Sequence, residues 1–405
     1  MAVGLSAPGK LSPVKGVRLA TTACGIKKNS VADLLLIALD AGASVAGVFT
    51  RNAYCAAPVQ VARRHLDSDT PRALLINSGN ANAGTGRVGE QDAINLCKDT
   101  GLALGVGGSQ VLPFSTGVIG ETLPVSLMQQ GIAKVAEELS EDNWLTAAHA
   151  IMTTDTAPKA ISREVLIDGK TVTLTGIAKG SGMIHPDMAT MLAFVATDAA
   201  VDKSALQAAI SEIAMRTFNS ITVDGDTSTN DACICIATGQ AGNKQLDPAH
   251  DDWLQFTGAL EEVSRFLAHA IIRDGEGATR FIEIAVAGGA SIDDCRQAGF
   301  TVAHSPLVKT AFFAGDPNLG RILAAVGRSK ISGLEMQKVS MSLGDMPVVK
   351  SGEASPDYNE ARAAAIMAKE EVSLTIDLAM GSAFATVWTT DLSYDYVKIN
   401  AEYRS

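Results

Sequence analysis

Short apolar segments alternate with amphipathic helical patterns along this chain of 405 residues. Apolar runs bounded by turn residues predict strands, and apolar residues recurring at helical spacing predict helices. The predicted strands cover residues 45–50, 73–76, 172–178, 191–196, 232–237 and 281–286. The predicted helices cover residues 30–40, 125–139, 203–218, 253–272 and 356–369. This alternation indicates a mixed α/β (or α+β) fold.

Two of the predicted helices have the clearest apolar faces. The first has Ser204 near its expected N-terminal cap and carries on one face Leu206, Ile210, Ile213 and Thr217. The second repeats this spacing with Phe256, Leu260, Val263, Leu267 and Ile271.

The charge balance limits the kinds of partner that the chain can bind. It carries 33 Lys and Arg against 44 Asp and Glu, a net charge of −11. Nucleic acid and anionic membranes bind basic patches, so neither is expected as a partner. The balance suits an enzyme that acts on small, partly cationic molecules. The length predicts two or three packed units.

The cysteines and the N-terminal segment indicate a cellular location. None of the six cysteines forms a CxxC pair, and Cys233 and Cys235 alternate within an apolar run. This pattern predicts buried free thiols in a reducing compartment. The first residues lack the apolar core of a secretory signal, and no apolar stretch reaches the length of a membrane span. The protein is therefore predicted to be soluble and cytoplasmic.

Five loops rich in Gly, Asn and Asp interrupt the regular elements. They cover residues 77–89, 116–121, 179–186, 224–231 and 274–278. Functional residues concentrate on such loops, because glycine lets the backbone approach a ligand closely. The loops together predict a composite site.

Thr190 is the candidate nucleophile. It follows the small residue Ala189 and opens an apolar run, and a loop with Lys179 and His185 precedes it. If the Ala189–Thr190 bond is cut, the new α-amine lies beside the threonine hydroxyl and can activate it. The alternative is an ordinary threonine at the start of a strand, where its β-branched side chain is favoured.

Four further features each have a structural and a functional interpretation. The segment NSGNANAGTG (77–86) is either a cluster of turns or a loop of backbone donors for an anion. The segment STGVIGE (115–121) is either a strand-to-helix connection or part of an oxyanion hole. Glu276 is either a solvated acid or a binder of a cationic amine. Lys179 is either a surface charge or a binder of a carboxylate.

Several common cofactor and metal motifs fail on spacing. The segment VDGDTSTND (223–231) has Thr229 where a calcium loop needs glycine and Cys235 where it needs glutamate. No HExxH motif, paired-cysteine zinc site, P-loop or complete dinucleotide fingerprint occurs, and a GxSxG nucleophile elbow is also missing. We therefore predict no metal site.

Taken together, the loops resemble the ornithine acetyltransferase (glutamate N-acetyltransferase) family of arginine biosynthesis. The resemblance covers nearly the whole chain in order, and its most specific segment is KGSGMIHP…MATM. It rests on VAGVFTRNAYCAAPV, NSGNANAGTG, STGVIGE, IMTTDTAPK, KGSGMIHPDMATMLAF, FNSITVDGDTSTNDA, IIRDGEGATRF, SPLVKTAFFAGDPNLGRILAAVG and DYVKINAEYRS. Three departures from the family pattern are Asp187 in place of Asn, Gly84 in place of Cys and Leu319 in place of Trp.

The resemblance implies self-cleavage between Ala189 and Thr190, which yields an α chain of residues 1–189 and a β chain of residues 190–405. It implies an oxyanion hole formed by Thr116 and Gly117. It assigns substrate contacts to Thr153, Lys179, Thr190, Glu276, Asn400 and Ser405. Acetyl would pass from N-acetylornithine to Thr190 and then to glutamate, in a ping-pong cycle without a cofactor. Some family members also accept acetyl-CoA.

The resemblance also implies an architecture and an assembly. The expected fold is an αββα sandwich over residues 1–280, with a smaller C-terminal α/β domain over residues 281–405. Family members form α₂β₂ assemblies. Two rival functions remain: a self-processing aminopeptidase or amidase of the related fold, which delivers the acyl group to water, and a non-enzymatic amino-acid-binding protein.

Overall fold

The computed structural model describes residues 2–185 and 191–402. Its strands are β1 (Val17–Thr22), β2 (Leu34–Leu39), β3 (Ser44–Phe49), β4 (Ala73–Asn80), β5 (Val111–Val118), β6 (Lys159–Ile167), β7 (Lys170–Lys179), β8 (Leu192–Thr197), β9 (Ile221–Thr222), β10 (Ala232–Ala237), β11 (Phe281–Gly289), β12 (Ser340–Leu343), β13 (Met346–Lys350), β14 (Glu353–Ala354), β15 (Glu371–Asp377) and β16 (Ala383–Thr390). Its α-helices are α1 (Ala57–Ser68), α2 (Gly86–Leu104), α3 (Val125–Glu137), α4 (Trp144–Ala150), α5 (Lys203–Arg216), α6 (Trp253–Arg273), α7 (Ile292–Ala303), α8 (Pro306–Ala314), α9 (Leu319–Gly327), α10 (Glu360–Met367) and α11 (Tyr394–Ala401).

The strands form three sheets. The first has the order β1-β2-β4-β5, and the second has the order β3-β10-β8-β7-β6. The third has the order β14-β13-β12-β15-β11-β16-β9. Strands β4 and β5 run parallel, as do β8 and β10, so their carboxyl ends lie at common sheet edges.

The first two sheets pack face to face through alternate side chains. Leu35 and Ile37 of β2 share one buried cluster with Phe194 and Ala196 of β8. Phe114 of β5 meets Phe194 edge to face, with ring centroids 5.2 Å apart. Because successive strand residues point to opposite faces, the intervening positions are left to pack against helices.

Helices cover the outer faces of both sheets. Leu34 and Leu36 pack with residues of α2 and α3, and Ala193 and Val195 pack with residues of α5 and α6. The resulting order of layers is α, β, β, α, which confirms the predicted sandwich. The predicted buried faces of α5 and α6 are also confirmed.

The third sheet has its own apolar core, drawn from residues between 282 and 387. One of its strands comes from earlier in the chain, since Ile221 and Thr222 of β9 pair parallel with Trp388 and Thr389 of β16. The boundary at residue 280 stays a prediction. Six free cysteines are present, and Cys233 and Cys235 are buried in β10 as expected.

The predicted helix over residues 30–40 is wrong. Residues 34–39 form β2, and all six of its side chains are buried. A strand enclosed on both faces loses the alternation of apolar and polar residues, so its run LLLIAL cannot be distinguished from a buried helix by periodicity. The cap of α5 also differs by two positions, because the Asp202 side chain accepts from the Ser204 and Ala205 N–H groups.

The described residues include no helix that is both long and apolar enough to cross a bilayer.

Candidate active site

A cavity of about 260 Å³ lies where β5 and β7 end. Its walls include all six of the predicted site residues that the structure describes, namely Thr116, Gly117, Thr153, Lys179, Glu276 and Asn400. Ala189, Thr190 and Ser405, together with the departure at Asp187, lie outside the described residues. The described residues that were predicted to form a composite site therefore line one cavity.

Thr116 and Gly117 belong to the last residues of β5, where a turn was expected. They pair with Ser78 and Gly79 of the parallel strand β4. Gly117 has φ +134°, and a Cβ on it would come within 2.3 Å of the Gly79 carbonyl carbon. Only glycine fits this close approach of two backbones.

Lys179 and Thr116 are joined by a hydrogen bond. The Lys179 Nζ donates to Thr116 Oγ1 at 3.1 Å, and the lysine is only 4% exposed. Because the hydroxyl oxygen accepts from the ammonium, its own proton remains available for another acceptor. Burial lowers the pKa of Lys179, and the Asp155 carboxylate opposes that effect. The interpretation of Lys179 as a surface charge is wrong.

A buried ion network binds the backbone next to the cavity. The Lys159 ammonium lies 2.6 Å from both Asp155 Oδ1 and Asp274 Oδ2, and all three side chains are at most 1% exposed. Asp155 also accepts from the backbone N–H of Thr153 at 2.9 Å and of Gly180 at 2.7 Å. One carboxylate thus fixes the backbone on two sides of the cavity.

The sequence contained no signal for this network, because charges in loops are usually solvated. Burial by itself would raise the pKa of Asp155. The nearby Lys159 and Lys179 ammonium groups instead hold this pKa well below its usual range. A carboxyl whose pKa is depressed by folding stabilises the protein above its ordinary pKa. That stabilisation is lost as the pH falls through the acid range.

Replacing Lys159 with methionine is expected to lower the free energy of unfolding by about 3–5 kcal/mol, because two carboxylates remain buried without their cation. Chemical denaturation of the wild type and the variant measures this difference. The control is Lys338→Met, which removes an exposed ion pair with Glu335 and is expected to cost ~1 kcal/mol or less. Equal losses in the two variants would contradict a stabilising role for the buried network.

Glu276 also lines the cavity. Its backbone N–H donates to the Ser181 carbonyl at 2.8 Å. Its Oε2 accepts from Asn400 Nδ2 at 2.9 Å. A Cβ on Gly182 would come within 2.4 Å of the Glu276 carboxyl carbon, so glycine leaves room for this carboxylate. Glu276 is 8% exposed, and the interpretation as a solvated acid is wrong.

Asn400 reaches the cavity from the C-terminal helix α11. No residue of this helix is buried, and Tyr394 is 84% exposed. Tyr396 Oη lies 3.4 Å from Asp224 Oδ2, which also accepts from the Met183 N–H. The helix contacts the cavity edge through these polar groups, and its Tyr394 ring meets Phe313 edge to face, with ring centroids 5.5 Å apart.

The loop 224–231 ties the cavity walls together. Asp224 accepts from the N–H groups of Met183 and Ile184, at 2.6 and 2.9 Å. Asn230 Nδ2 donates to the carbonyls of Ala81 and Ser115, at 2.6 and 2.9 Å. The sequence alone assigns no role to either side chain, since a loop Asp or Asn is equally common in an exposed turn.

The segment 77–86 combines local hydrogen bonds with contacts to distant parts of the chain, such as the bonds that Asn80 Nδ2 donates to the Glu121 and Thr122 carbonyls. Asn77 Nδ2 donates to the Asn80 carbonyl, and Asn80 Oδ1 accepts from the Asn82 N–H at 2.8 Å. Asn82 Nδ2 donates to Gly89 O. Ala81 alone brings this loop to the cavity wall. Residues 77–80 are the end of β4 and α2 begins at Gly86, so the segment is a strand end and a short connection to the next helix.

His185 lies in the loop that leads to Thr190, and it packs against the C-terminal region. Its Nδ1 is 3.0 Å from Nε2 of His304, which is 3.1 Å from Thr222 Oγ1. Burial and, to a smaller extent, the nearby His185 lower the pKa of His304 to about 3. His185 is not among the residues that line the cavity.

Within the described ranges, one group of side chains has the composition of a metal site: Asp168, His250 and Asp252. Hydrogen bonds already occupy the ring nitrogens of His250 and a carboxylate oxygen of Asp168. His250 Nδ1 accepts from the Asp252 N–H, so its Nε2 carries the proton and faces Asp168 at 3.3 Å. Asp168 Oδ2 also accepts from the Lys244 N–H. The three residues therefore connect two surface loops.

Comparison with known proteins identifies relatives over the full length. The ArgJ family profile matches residues 18–405. The arginine biosynthesis bifunctional protein ArgJ of Methylococcus capsulatus (strain Bath) is 51% identical over 396 residues, which cover 98% of this chain and 97% of that protein. The protein of the same name from Pseudomonas fluorescens (strain Pf0-1) is 48% identical over 406 residues, with complete coverage of both.

One crystal structure is also similar. It is that of arginine biosynthesis bifunctional protein ArgJ from Bacillus halodurans, with 40% sequence identity and a TM-score of 0.50. The match covers 52% of this chain and 98% of the solved chain.

Proposed function

The chain belongs to the ArgJ family, and from this membership we propose that it transfers the acetyl group of N²-acetyl-L-ornithine to L-glutamate in arginine biosynthesis. One observation carries the proposal. A single cavity brings together a threonine hydroxyl bound by a buried lysine and a carboxylate held by an asparagine. These are the groups needed to stabilise an acyl-transfer oxyanion and to bind an amino acid with a cationic side chain.

Self-cleavage between Ala189 and Thr190 would supply the nucleophile. The Thr190 hydroxyl attacks the Ala189 carbonyl, an ester replaces the peptide bond, and water releases the two chains. Strand β8 begins at Leu192, only two residues beyond Thr190, so a rigid strand would hold the new terminus. The length of the solved Bacillus halodurans chain, which corresponds to about half of this chain, supports the proposed division.

In the first half of the cycle, Thr190 Oγ attacks the acetyl carbonyl of acetylornithine. Its proton passes to the new α-amine of Thr190, acting as base. The oxyanion would receive hydrogen bonds from the Thr116 hydroxyl and from Gly117. The Lys179 contact keeps the Thr116 oxygen occupied as an acceptor and leaves its proton for this purpose. Collapse of the intermediate expels ornithine, whose nitrogen takes the proton from the α-ammonium of Thr190, and leaves acetyl on the Thr190 oxygen.

The remaining contacts would position the amino acids. Lys179 has donors beyond the one given to Thr116, and one of these would bind the α-carboxylate that both substrates share. Glu276 would attract the cationic end of ornithine, with Asn400 holding its carboxylate. Thr153, whose backbone is fixed by Asp155, and the terminal Ser405 complete the proposed substrate contacts.

In the second half of the cycle, the glutamate amine takes the acetyl group from Thr190. In both acetyl transfers the chain's own groups supply the nucleophile and the base, so the cycle needs no cofactor. The two relatives are called bifunctional, and acetyl-CoA as a second acyl donor would account for another activity. We also propose an α₂β₂ assembly of the processed chains and a cytoplasmic location.

Two measurements on the processed wild type test the function. Mass spectrometry of the 190–405 fragment should show one added acetyl group after mixing with acetylornithine, and glutamate should remove it. Acetylglutamate should form in amounts equal to ornithine. Release of free acetate independent of glutamate would instead indicate the self-processing hydrolase, and ornithine binding without acetylation would indicate a binding protein.

Replacing Glu276 with glutamine is expected to lower kcat/KM for acetylornithine by ~10–100-fold, because a hydrogen bond to a charged group is worth about 1.5–3 kcal/mol. The deacylation rate of acetyl-enzyme by glutamate should change far less. Separate measurement of the two half-reactions checks this difference. Glu121→Gln, at an exposed position, is the control. An equal loss in both half-reactions would contradict the assignment to ornithine.

A further inference from the structure

Asp231 is a buried carboxyl group for which the cycle above has no role. It directly precedes β10 and is only 1% exposed. Its Oδ1 accepts from the Met191 N–H at 3.0 Å. Its Oδ2 is buried and meets no hydrogen-bond geometry within residues 2–185 and 191–402, although the nearby Ser228 hydroxyl lowers the pKa of the carboxyl group slightly. Most buried polar atoms are paired, so an unpaired carboxyl oxygen needs an explanation.

The covalent chain places this carboxyl group beside Thr190. The N–H that it binds belongs to the peptide bond between Thr190 and Met191, and the Thr190 nitrogen is three covalent bonds from that atom. The pairing of β8 with β10 fixes the arrangement, because Ala232 lies opposite Leu192 and its N–H donates to the Met191 carbonyl at 3.2 Å. Asp231 cannot move away from the Met191 N–H without breaking this register.

The surroundings favour the protonated acid. Burial raises the pKa of Asp231 well above its usual range, and the Lys179 ammonium only partly opposes this effect. A neutral carboxyl with one oxygen bound to an N–H keeps its other oxygen as a proton donor.

Building on the proposed self-cleavage, we infer that Asp231 donates the proton that the Thr190 nitrogen needs when the Ala189–Thr190 bond breaks. An amide nitrogen is a poor leaving group unless it is protonated as the bond opens. Asp231 is the buried acid that accepts a hydrogen bond from the backbone on the C-terminal side of that bond.

The step balances without another reactant. Thr190 Oγ bonds to the Ala189 carbonyl carbon, and the bond from that carbon to the Thr190 nitrogen breaks, leaving its electron pair on nitrogen. The nitrogen keeps its own hydrogen and takes the carboxyl proton of Asp231. Asp231 regains a proton from the Thr190 hydroxyl. The products are an ester, a free amine and the original carboxylic acid.

Asp231→Asn tests the assignment, because asparagine can still accept from the Met191 N–H but cannot supply an acidic proton. Full-length chains made by cell-free synthesis are sampled over time on a denaturing gel. We expect cleavage to be slower than in the wild type by ~10²–10⁴-fold, the usual contribution of a positioned acid. The melting temperature should be unchanged.

Asp198→Asn is the matched control. Asp198 follows the other end of β8, is 2% exposed and likewise accepts from one backbone N–H, that of Thr173 at 2.8 Å. This variant is expected to cleave at the wild-type rate. Hydroxylamine, which cuts esters, distinguishes a failure to form the ester from a failure to hydrolyse it. Asp231→Asn should give no hydroxylamine-sensitive bond, because the ester itself fails to form.

Wild-type cleavage with equally rapid cleavage of Asp231→Asn would overturn this assignment alone. Accumulation of a hydroxylamine-sensitive ester in the variant would also overturn it, by placing Asp231 in the later hydrolysis. A wild type that stays whole would overturn the proposed self-cleavage together with the assignment.

If Asp231→Asn does not fold, the pH dependence of wild-type cleavage decides. Lys179 of β7 and Cys55 before α1 are the titratable groups in electrostatic contact with Asp231. Cleavage should slow as the pH rises and the acid loses its proton. A rate that stays constant or increases with pH would overturn the assignment.

Discussion

Replacing Thr190 with alanine is expected to leave the chain whole and to reduce acetyl transfer to glutamate by at least ~10⁴-fold, because alanine supplies neither the hydroxyl that attacks Ala189 nor the one that carries acetyl. A denaturing gel should show one band for this variant and two for the wild type, corresponding to residues 1–189 and 190–405. The acetyl-transfer assay on the same preparations measures the second effect.

Thr190→Ser is the matched control, since it keeps the hydroxyl and removes only a methyl group. It should still be cut and should still transfer acetyl. An alanine variant that is cut at the same bond would exclude the Thr190 hydroxyl from cleavage. An uncut alanine variant that keeps full transfer activity would place the acetyl-carrying nucleophile on another residue.

Replacing Thr116 with valine is expected to lower kcat by ~10²–10³-fold with little change in KM, because the hydroxyl would stabilise the oxyanion and not the ground-state carbonyl. Valine has nearly the same shape, so the cavity should keep its form. Steady-state kinetics on the processed fraction of the protein measures the effect, since the same hydroxyl could also assist self-cleavage.

Two controls separate the oxyanion role from a packing role. Thr116→Ser keeps the hydroxyl and should retain most of kcat. Thr154→Val removes a hydroxyl from the same cavity, one that lies 2.6 Å from Ser181 Oγ, and should change kcat much less. A valine variant at 116 with wild-type kcat would remove Thr116 from the oxyanion hole.

Two helices exposed on one side were predicted from the sequence, and so were the fully buried strands β8 and β10. Helices α5 and α6 carry apolar residues at helical spacing because one face of each is buried against a sheet. Strand β2 was mistaken for a helix because its enclosure between layers removes any polar face. The failure follows from burial on both faces, which only the packing of the whole domain reveals.

The candidate site divides in a similar way. The residue types at Thr116, Lys179 and Glu276 could be selected from loop motifs, yet each had an equally simple structural interpretation. The roles of Asp155 and Asp231 could not be selected at all, because an acidic residue in a loop is normally solvated. The Gly180 N–H contacts Asp155 from the end of β7, and the Met191 N–H contacts Asp231 because β8 pairs with β10.

By itself, the sequence determined the α/β class, six of the strands, four of the helices and, through the order of its loops, the resemblance to the ornithine acetyltransferases. These features depend on local periodicity and on motifs that are continuous in the chain. The tertiary structure alone decided which ambiguous residues share a cavity, that Lys179 holds Thr116, and that Asp231 lies beside the start of β8. Those contacts join residues distant in the chain, and their strength comes from burial that no local pattern records.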